Sequence, residues 1–256
     1  MYFQLYIPAG LWCTILIALL LIMAHGGLYL FDTWCKRKNI PHNNEVAGII
    51  FGVLSLIYSL LVAFVIVAVW ENYEELNRTI ENETDDLNTI LVHSTALPDS
   101  LRRPVVASVK GYCQRIVNEE WGAQENKAYT RWSAIPSLRQ FLFQVQPNSK
   151  TQENVLNLLD EKLSNITNLR RERLSHSHAY VPEMVWWVLI ISSAMIVLFS
   201  YFLYMESKLL RKIFLSFLWA IIAMSLVLAY LLDHPFDGST QVSKEPYETI
   251  IKELDN

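Results

Sequence analysis

A stripe of small and hydroxyl-bearing side chains runs along the uncharged stretch at residues 46–70. Its members are spaced by four, three, four and four positions: Gly48, Gly52, Ser55, Ser59 and Ala63. This spacing places them on one face of an α-helix, with Tyr58 beside them. Two interpretations are open. Small residues let membrane helices pack closely, or they leave a lumen open and offer hydroxyl groups to a partly dehydrated ion.

Polar and aromatic residues flank this stretch at both ends. They are His42, Asn43, Asn44 and Glu45 before the stretch, and Trp70, Glu71 and Glu74 at or after its end. One interpretation is ordinary helix capping, since an asparagine suits the N-cap and an acidic residue suits the first turn. The other is that rings of these side chains surround the two mouths of a channel, where glutamates would concentrate cations.

The sequence contains none of the motifs that mark the common catalytic sites. There is no H-E-x-x-H, no P-loop, no G-x-S-x-G and no G-x-G-x-x-G. The three cysteines form no C-x-x-C pair. A net charge of −4, with no basic block longer than residues 36–38, argues against nucleic-acid binding. We therefore expect a protein that is not an enzyme, holds no cofactor or metal ion and binds no nucleic acid.

Four uncharged, apolar stretches provide the elements that must position these residues. Apolar residues make up 52% of the 256 residues and charged residues only 18%, and the mean hydropathy is +0.23. A helix of about 20 apolar residues crosses a bilayer, and lipid offers no partner to an unpaired backbone group. We predict membrane-spanning helices at residues 11–31, 46–70, 184–205 and 213–232. His25, within the first, is expected to be neutral and hydrogen-bonded.

The predicted fold is an all-α, four-helix integral membrane protein with a helical extramembrane domain inserted between the second and third spans. The predicted layout is 1–70 (two spans and a basic loop), 71–183 (helical domain), 184–232 (two spans) and 233–256 (polar tail). No Gly or Pro separates the second span from the apolar pattern that follows it. A single helix at residues 46–96 is therefore expected, about 76 Å long at 1.5 Å per residue.

Apolar residues at helical spacing support the inserted domain. They form three stripes: Leu76, Ile80, Leu87 and Leu91; Leu101, Val105, Val109, Tyr112 and Ile116; and Leu156, Leu159, Leu163, Ile166 and Leu169. A shorter apolar patch lies at residues 138–145. Asp99 and Thr151 are expected to cap two of these helices.

Basic residues in the short loops predict the orientation in the membrane. They are Lys36, Arg37 and Lys38 between the first two spans, and Lys208, Arg211 and Lys212 between the last two. We expect both loops in the cytoplasm and residues 71–183 on the non-cytoplasmic side. The three arginines shortly before the third span favour the opposite orientation.

Several motifs, in order and spacing, resemble the bestrophin-like membrane domain that is widespread in bacteria. The motifs are Asn44-Glu45-Val46-Ala47-Gly48, Tyr58, Ala63-Phe64, Trp70-Glu71, Tyr112, Glu120-Trp121 and Asp233-x-Pro235-Phe236-x-Gly238. The resemblance implies four spans, a helical domain between the second and third, and a distant relation to the bestrophin anion channels.

The resemblance also carries implications for the candidate site. In bestrophins the second span lines the pore of a pentamer, which supports Gly52, Ser55 and Ser59 as lining residues. A Pro-Phe step after the last bestrophin span leads into an acidic calcium clasp. Here Pro235-Phe236 is followed by residues 238–240, Gly-Ser-Thr, without an acidic run, so calcium gating is not expected. Bestrophins keep their large domain in the cytoplasm, contrary to the orientation predicted from the loops.

Two hypotheses for function follow. The first is a homo-oligomeric ion channel, or channel-like pore, along the second span, with the lipid bilayer, copies of the same chain and inorganic ions as partners. The alternative is a membrane-anchored sensory or interaction protein whose helical domain binds a ligand or partner.

Overall fold

The computed structural model describes residues 9–38, 44–121, 134–176, 180–236 and 241–255. All regular elements within these residues are helices. In chain order the α-helices are α1 (Ala9–Lys38), α2 (Asn44–Ser94), α3 (Asp99–Arg115), α4 (Ala134–Phe143), α5 (Lys150–Ser175), α6 (Glu183–Ser200), α7 (Lys208–Asp233) and α8 (Glu245–Asp255). A short π-helical segment, Ile116–Glu120, directly continues α3.

Four helices, α1, α2, α6 and α7, are long and apolar enough to cross a membrane. This confirms the predicted spans, although their ends differ. The third span was expected to reach residue 205, whereas α6 ends at Ser200. Its last turn tightens, because the Tyr201 N–H donates to the Leu198 carbonyl (3.2 Å) and the Phe202 N–H to the Phe199 carbonyl (3.0 Å).

The second helix is continuous over 51 residues, from Asn44 to Ser94, which confirms the single long helix. It ends two residues before the expected position. The Thr95 N–H donates to the Val92 carbonyl (3.2 Å) and the Ala96 N–H to the His93 carbonyl (3.2 Å), so the chain leaves the α-helix in tight turns.

Both predictions of a capping residue are wrong, because the N-caps lie one residue before Asp99 and two residues before Thr151. Asp99 is the first residue of α3, whose N-cap is Pro98 and has no side-chain hydrogen bond. In α5 the cap is Ser149, whose hydroxyl accepts from the Gln152 N–H at 3.1 Å. Thr151 lies inside the helix. A serine two residues earlier can reach the free N–H groups of the first turn, which a residue already within that turn cannot.

The chain divides into two units by its internal packing. The first contains residues 1–71 and 179–240, and so includes α1, α6, α7 and the first part of α2. In one of its apolar clusters α1 packs against α7 and the end of α6: Ala24, Leu28, Tyr201, Leu215 and Trp219. In a second, α2 packs against α6 and α7: Tyr58, Val62, Leu189, Ile196 and Ile222.

A close approach of α1 to the end of α6 depends on a glycine. The Tyr201 hydroxyl donates to the Ala24 carbonyl at 3.0 Å. A Cβ atom on Gly27 would lie 2.5 Å from that hydroxyl oxygen, which is too close for any side chain larger than hydrogen. Away from these contacts, large apolar residues such as Leu56 and Met184 are 70% and 79% exposed, as expected for a lipid-facing surface.

The second unit contains residues 72–178 and 241–256, and so includes the second part of α2 together with α3, α4, α5 and α8. The predicted apolar stripes supply its core, with Leu76, Val105, Leu159 and Ile166 all fully buried. Leu91, Leu101 and Leu156 are only half-buried. Residues 241–255, expected to be part of a polar tail, include α8, whose Tyr247 and Ile250 are buried.

Candidate functional site

One side of α2 is occupied by contacts within the first unit. Tyr58, 7% exposed, and Val62 pack against Leu189, Ile196 and Ile222 of α6 and α7. Further residues at helical spacing, among them Phe51, Leu54 and Val65, are partly buried against this cluster. Tyr58, a predicted lining residue beside the small-residue stripe, is buried in the helix bundle of one chain.

The neighbouring side of α2 carries the small residues and is open. Gly48, Gly52, Ser59 and Ala63 are all exposed. A Cβ atom added to Gly48 or Gly52 would meet nothing within 4 Å. At 100° per residue, this stripe lies next to the packed side and not opposite it. Within the described residues, Gly48, Gly52, Ser59 and Ala63 therefore stay outside the packing of α2 against α6 and α7.

The hydroxyl groups on α2 differ in their partners. Ser59 donates to the Leu56 carbonyl of its own helix at 2.9 Å, and its side chain is exposed. Ser55 is half-buried at the edge of the stripe, and its hydroxyl oxygen has no hydrogen-bond partner among the described residues. A buried hydroxyl without a partner is unfavourable in hydrocarbon, so this position has hydrogen-bonding capacity to offer.

At the start of α2, the Asn44 side chain makes a tertiary clamp. Its amide Nδ2 donates to the Tyr204 carbonyl at 2.7 Å, and its Oδ1 accepts from the Tyr204 N–H at 3.0 Å. The expected capping of the helix by Asn44 is thus replaced by a bond to the α6–α7 connection. Glu45 is exposed in the first turn. His42 and Asn43 lie outside the described residues.

The residues expected at the second pore mouth lie on α2 close to residue 71, where the first unit ends. Trp70 is 53% exposed. Glu71 is exposed and Glu74 half-buried. These three residues stay candidates for the pore mouth.

The motif after the last span has a positioning role. Asp233 is fully buried, and its Oδ1 accepts the N–H groups of Tyr180 (2.8 Å) and Val181 (2.9 Å). Its Oδ2 accepts the indole N–H of Trp186 at 3.0 Å. The carboxylate thus fixes the chain that leads into α6. Pro235 is buried and Phe236 half-buried, and Gly238 lies outside the described residues.

A buried charge network in the second unit was not predicted from the sequence. Arg173 and Glu83 have completely buried side chains, and the Arg173 Nε donates to Glu83 Oε2 at 2.9 Å. Arg173 Nη2 also donates to Glu120 at 3.0 Å, while Arg170 pairs with the same carboxylate. The Tyr112 hydroxyl donates to the other oxygen of Glu83. The network ties α2, α3, α5 and the π-helical segment together.

Aromatic rings complete the surroundings of the buried arginine. The guanidinium carbon of Arg173 lies 5.8 Å from the ring centre of Tyr247 on α8 and 6.0 Å from that of Trp121, within the range of a cation–π contact. The signal in the sequence is register: Glu83 lies three residues after Ile80, and Arg173 four after Leu169, so both charges continue apolar stripes.

Burial and charge shift the pKa values of this network. Desolvation and the negative charge of Glu83 raise the pKa of Tyr112 and of Tyr247 well above 10. Desolvation, again with Glu83, raises the pKa of the Cys113 thiol to about 12. Burial alone would lower the pKa of Arg173, but the adjacent Glu83 raises it above its ordinary value. The tyrosines and the thiol are therefore neutral and the arginine charged at neutral pH.

Within the described residues, no group of three or more His, Cys, Asp or Glu side chains is arranged to hold a metal ion.

His25 of the first span is hydrogen-bonded, as expected. Its Nδ1 lies 2.8 Å from the Leu21 carbonyl, and its Nε2 lies 3.2 Å from the Ser216 hydroxyl.

Four spans, a helical domain between the second and third, and a long second helix with an open small-residue face define a multi-pass membrane protein of all-α fold. The sequence model of the Bestrophin-like domain matches residues 18–247. The chain therefore belongs to the Bestrophin-like family, which confirms the resemblance found in its motifs. No curated protein sequence matches the chain.

Solved structures show the same fold. A crystal structure of a point variant of a bacterial bestrophin homologue from Klebsiella pneumoniae has a TM-score of 0.71 at 14% identity, covering 95% of this chain and 99% of that one. Another variant has a TM-score of 0.74 at 12% identity, covering 94% and 96%. A crystal structure described as a membrane protein has a TM-score of 0.72 at 14% identity, with the same coverage of 94% and 96%.

Proposed function

We propose that this protein is a homo-oligomeric ion channel in which α2 lines the pore. The proposal rests on one observation: within one chain, one side of α2 is packed against other helices and the adjacent side is not. Its side with Tyr58 and Val62 is packed against α6 and α7, whereas the adjacent stripe of small residues is unoccupied. Small residues leave room for a lumen, and helix hydroxyls can replace part of the hydration shell of an ion.

The proposed pore lining contains fewer residues than the whole stripe. Gly48, Gly52, Ser59 and Ala63 are the open positions. Ser55 lies at the edge of the packed side, and its hydroxyl oxygen is buried within one chain. Tyr58 supports the lining helix from the adjacent, packed side. The Bestrophin-like family and the shared fold of bacterial bestrophin homologues support a channel, and permeation would be passive and need no cofactor.

Ion flux through liposomes tests the proposal with a matched pair of variants on adjacent residues. Gly52→Leu puts a large side chain into the proposed lumen, and Val53→Leu enlarges an exposed side chain that is 54% accessible on the neighbouring face. A Cβ atom on Gly52 meets nothing within 4 Å among the described residues, and Val53 is exposed. Leu is also the better helix former.

The proposal predicts flux from the wild type and from Val53→Leu, and at least a tenfold loss for Gly52→Leu in oligomers of unchanged size. Ser59→Leu should behave like Gly52→Leu. Equal flux from all proteins would contradict the proposed lining. Loss of the oligomer in Gly52→Leu would show that the stripe packs against another subunit. A folded oligomer without any flux would leave the membrane-anchored sensory or interaction protein as the better description.

We also propose that the two short basic loops face the cytoplasm of a bacterial cell and that residues 71–183 lie on the other side of its inner membrane. The two loops carry six basic residues, against the three arginines shortly before the third span that favour the reverse. Reporter fusions after Lys38 and after Asp99 should give opposite signals, with the Lys38 fusion cytoplasmic. The reverse result would place the helical domain in the cytoplasm.

A further inference from the structure

A long apolar groove lies in the first unit between α1, α6 and α7. Its cavity volume is about 900 Å³, at the upper end of small-molecule sites in proteins. Trp186 and Tyr230 stand at one end of it, and Tyr201 and Trp219 at the other. Trp186 lies in the first turn of α6 and Tyr201 directly after its last residue, so the groove is about 20 Å long at 1.5 Å per residue. No residue of α2 lines it.

The polar atoms in the walls of the groove already have partners. The Tyr201 hydroxyl donates to the Ala24 carbonyl at 3.0 Å, and the Trp219 indole N–H to the Ser200 hydroxyl at 3.0 Å. The Trp186 indole N–H donates to Asp233 at 3.0 Å, and the Ser193 hydroxyl donates to the Ile190 carbonyl at 2.8 Å. A polar ligand would lose its bonds to water without gaining replacements. The walls therefore suit a hydrocarbon chain.

The two ends of the groove differ in charge. At the Tyr201 end, Arg211 donates to the Tyr201 carbonyl and pairs with Asp32 at 2.9 Å. The same end of the unit carries five exposed basic residues at the close of α1 and the start of α7: Lys36, Arg37, Lys38, Lys208 and Lys212. The Trp186 end has Glu183 and Asp233, and no Lys or Arg occurs in residues 180–190 or 226–236.

We propose that this groove binds an acyl chain of an anionic phospholipid, whose phosphate group is held by the lysines at the Tyr201 end. One bilayer leaflet is about 15 Å thick in its hydrocarbon part, so a groove of this length takes up one full chain. Basic clusters beside membrane helices attract anionic headgroups, and each lysine near the surface strengthens the attraction about fivefold. This inference is independent of the proposed pore, because the groove and the small-residue stripe share no residue.

Native mass spectrometry of the intact oligomer tests the proposal. The protein is extracted from bilayers of equal parts phosphatidylglycerol and phosphatidylcholine, and the lipids that stay bound are counted. We expect retained lipid with phosphatidylglycerol enriched at least fivefold. Ala194→Phe fills the groove from an exposed lining position and should remove the retained lipid. Ile191→Phe, which enlarges a 54% exposed residue of the same helix outside the groove, should not.

A double variant, Lys208→Gln with Lys212→Gln, separates the headgroup from the chain. It changes only exposed side chains, so it keeps the test decisive if Ala194→Phe does not fold. It should still retain a lipid but with a much weaker preference for phosphatidylglycerol, since two of the five exposed basic residues are removed. No preference in the wild type, an unchanged preference in the double variant, or equal retention by Ala194→Phe and Ile191→Phe would each overturn the proposal. The proposal would also be overturned if Ala194→Phe changed the size of the oligomer and left the amount of retained lipid unchanged. Because bound lipid is measured and not flux, failure here is distinct from failure of the channel proposal.

Discussion

The two units of this chain treat buried polar groups in different ways. In the membrane unit, serine hydroxyls turn back to carbonyls of their own helix, as Ser193 does to Ile190 (2.8 Å) and Ser200 to Val197 (2.6 Å). In the helical unit, charges are buried and satisfied between helices, as Arg173 is by Glu83 and Glu120.

The difference follows from what surrounds each unit. Hydrocarbon offers no alternative partner to a polar side chain, so local bonding keeps helix surfaces apolar and free to pack or face lipid. In a water-exposed domain, a buried ion pair is expensive to break, because removal of one member leaves the other charge without a partner. The first part of α2 belongs to the membrane unit and its second part to the helical unit. The two parts of this helix therefore satisfy their buried polar side chains in different ways.

The largest expected effect is on the charge network. Arg173→Ala leaves Glu83 buried without its cation and should lower the free energy of unfolding of the helical unit by about 3–5 kcal/mol. Arg171→Ala, two residues away and exposed, should change it by less than about 0.5 kcal/mol. Urea unfolding followed by circular dichroism measures both. Similar values for the two variants would mean that the network does not stabilise this unit.

Asp233 departs from this pattern within the membrane unit, as Arg211 does, since both are satisfied across elements. Asp233→Ala removes the acceptor of two backbone N–H groups and the Trp186 indole. We expect a loss of about 2–4 kcal/mol, because the donors stay buried without partners. Thermal unfolding in detergent provides the measurement, and Asp233→Asn should fall between the alanine variant and the wild type. A silent alanine variant would show that water replaces the carboxylate.

Two adjacent glycines in α1 test helix packing in the membrane unit. Gly27→Ala places a Cβ atom 2.5 Å from the Tyr201 hydroxyl oxygen, whereas at Gly26 nothing lies within 4 Å. Overpacking should make Gly27→Ala less stable by about 1–3 kcal/mol. Gly26→Ala should be neutral or slightly stabilising, as alanine favours the helix. The melting temperatures of the two variants in one detergent decide the matter, and equal values would refute the close approach of α1 to Tyr201.

The smallest effect at neutral pH concerns Cys113. Since its pKa is raised to about 12 from an ordinary thiol value, the folded state holds its proton more tightly than the unfolded state. The same direction holds for Tyr112 and Tyr247. Their contribution to stability is therefore complete below about pH 8 and lost as the pH rises through 9–12. Denaturation midpoints between pH 7 and 11 should fall.

Removal of the thiol separates its part from that of the tyrosines. In Cys113→Ala the fall should begin about one pH unit higher, near the ordinary pKa of tyrosine. In the wild type, maleimide should label Cys113 at least about 100-fold more slowly in the folded state than in urea. Rapid labelling of the folded protein, or a midpoint independent of pH, would contradict a buried neutral network.

Much of this architecture could be read from periodicity. The four spans and the continuous α2 follow from composition and from the absence of helix-breaking residues. The stripes that include Leu76, Val109 and Leu159 follow from helical spacing. Features that depend on distant partners could not be read. The early end of α6 accompanies the bond of Tyr201 to Ala24, 177 residues away in sequence.

The candidate site shows the same limit. The spacing from Gly48 to Ala63 predicted a single face, but only the packing of the chain separates the open residues from Tyr58. The Arg173–Glu83 pair joins residues 90 positions apart, and each charge alone is consistent with a solvated helix face. For α8, the buried pair Tyr247 and Ile250 lies at helical spacing, so an amphipathic helix was detectable there.

Cysteine accessibility along α2 tests the central claim most directly. In a background without the native cysteines, single cysteines at Gly48, Gly52, Ser59 and Ala63 are compared with those at Val53, Leu56 and Leu60, which are also exposed in one chain. If the stripe lines a water-filled pore, a membrane-impermeant thiol reagent should modify the first set in the assembled protein and block ion flux. The second set, facing lipid or another subunit, should stay unmodified. Modification of the second set, or protection of the first, would contradict the account.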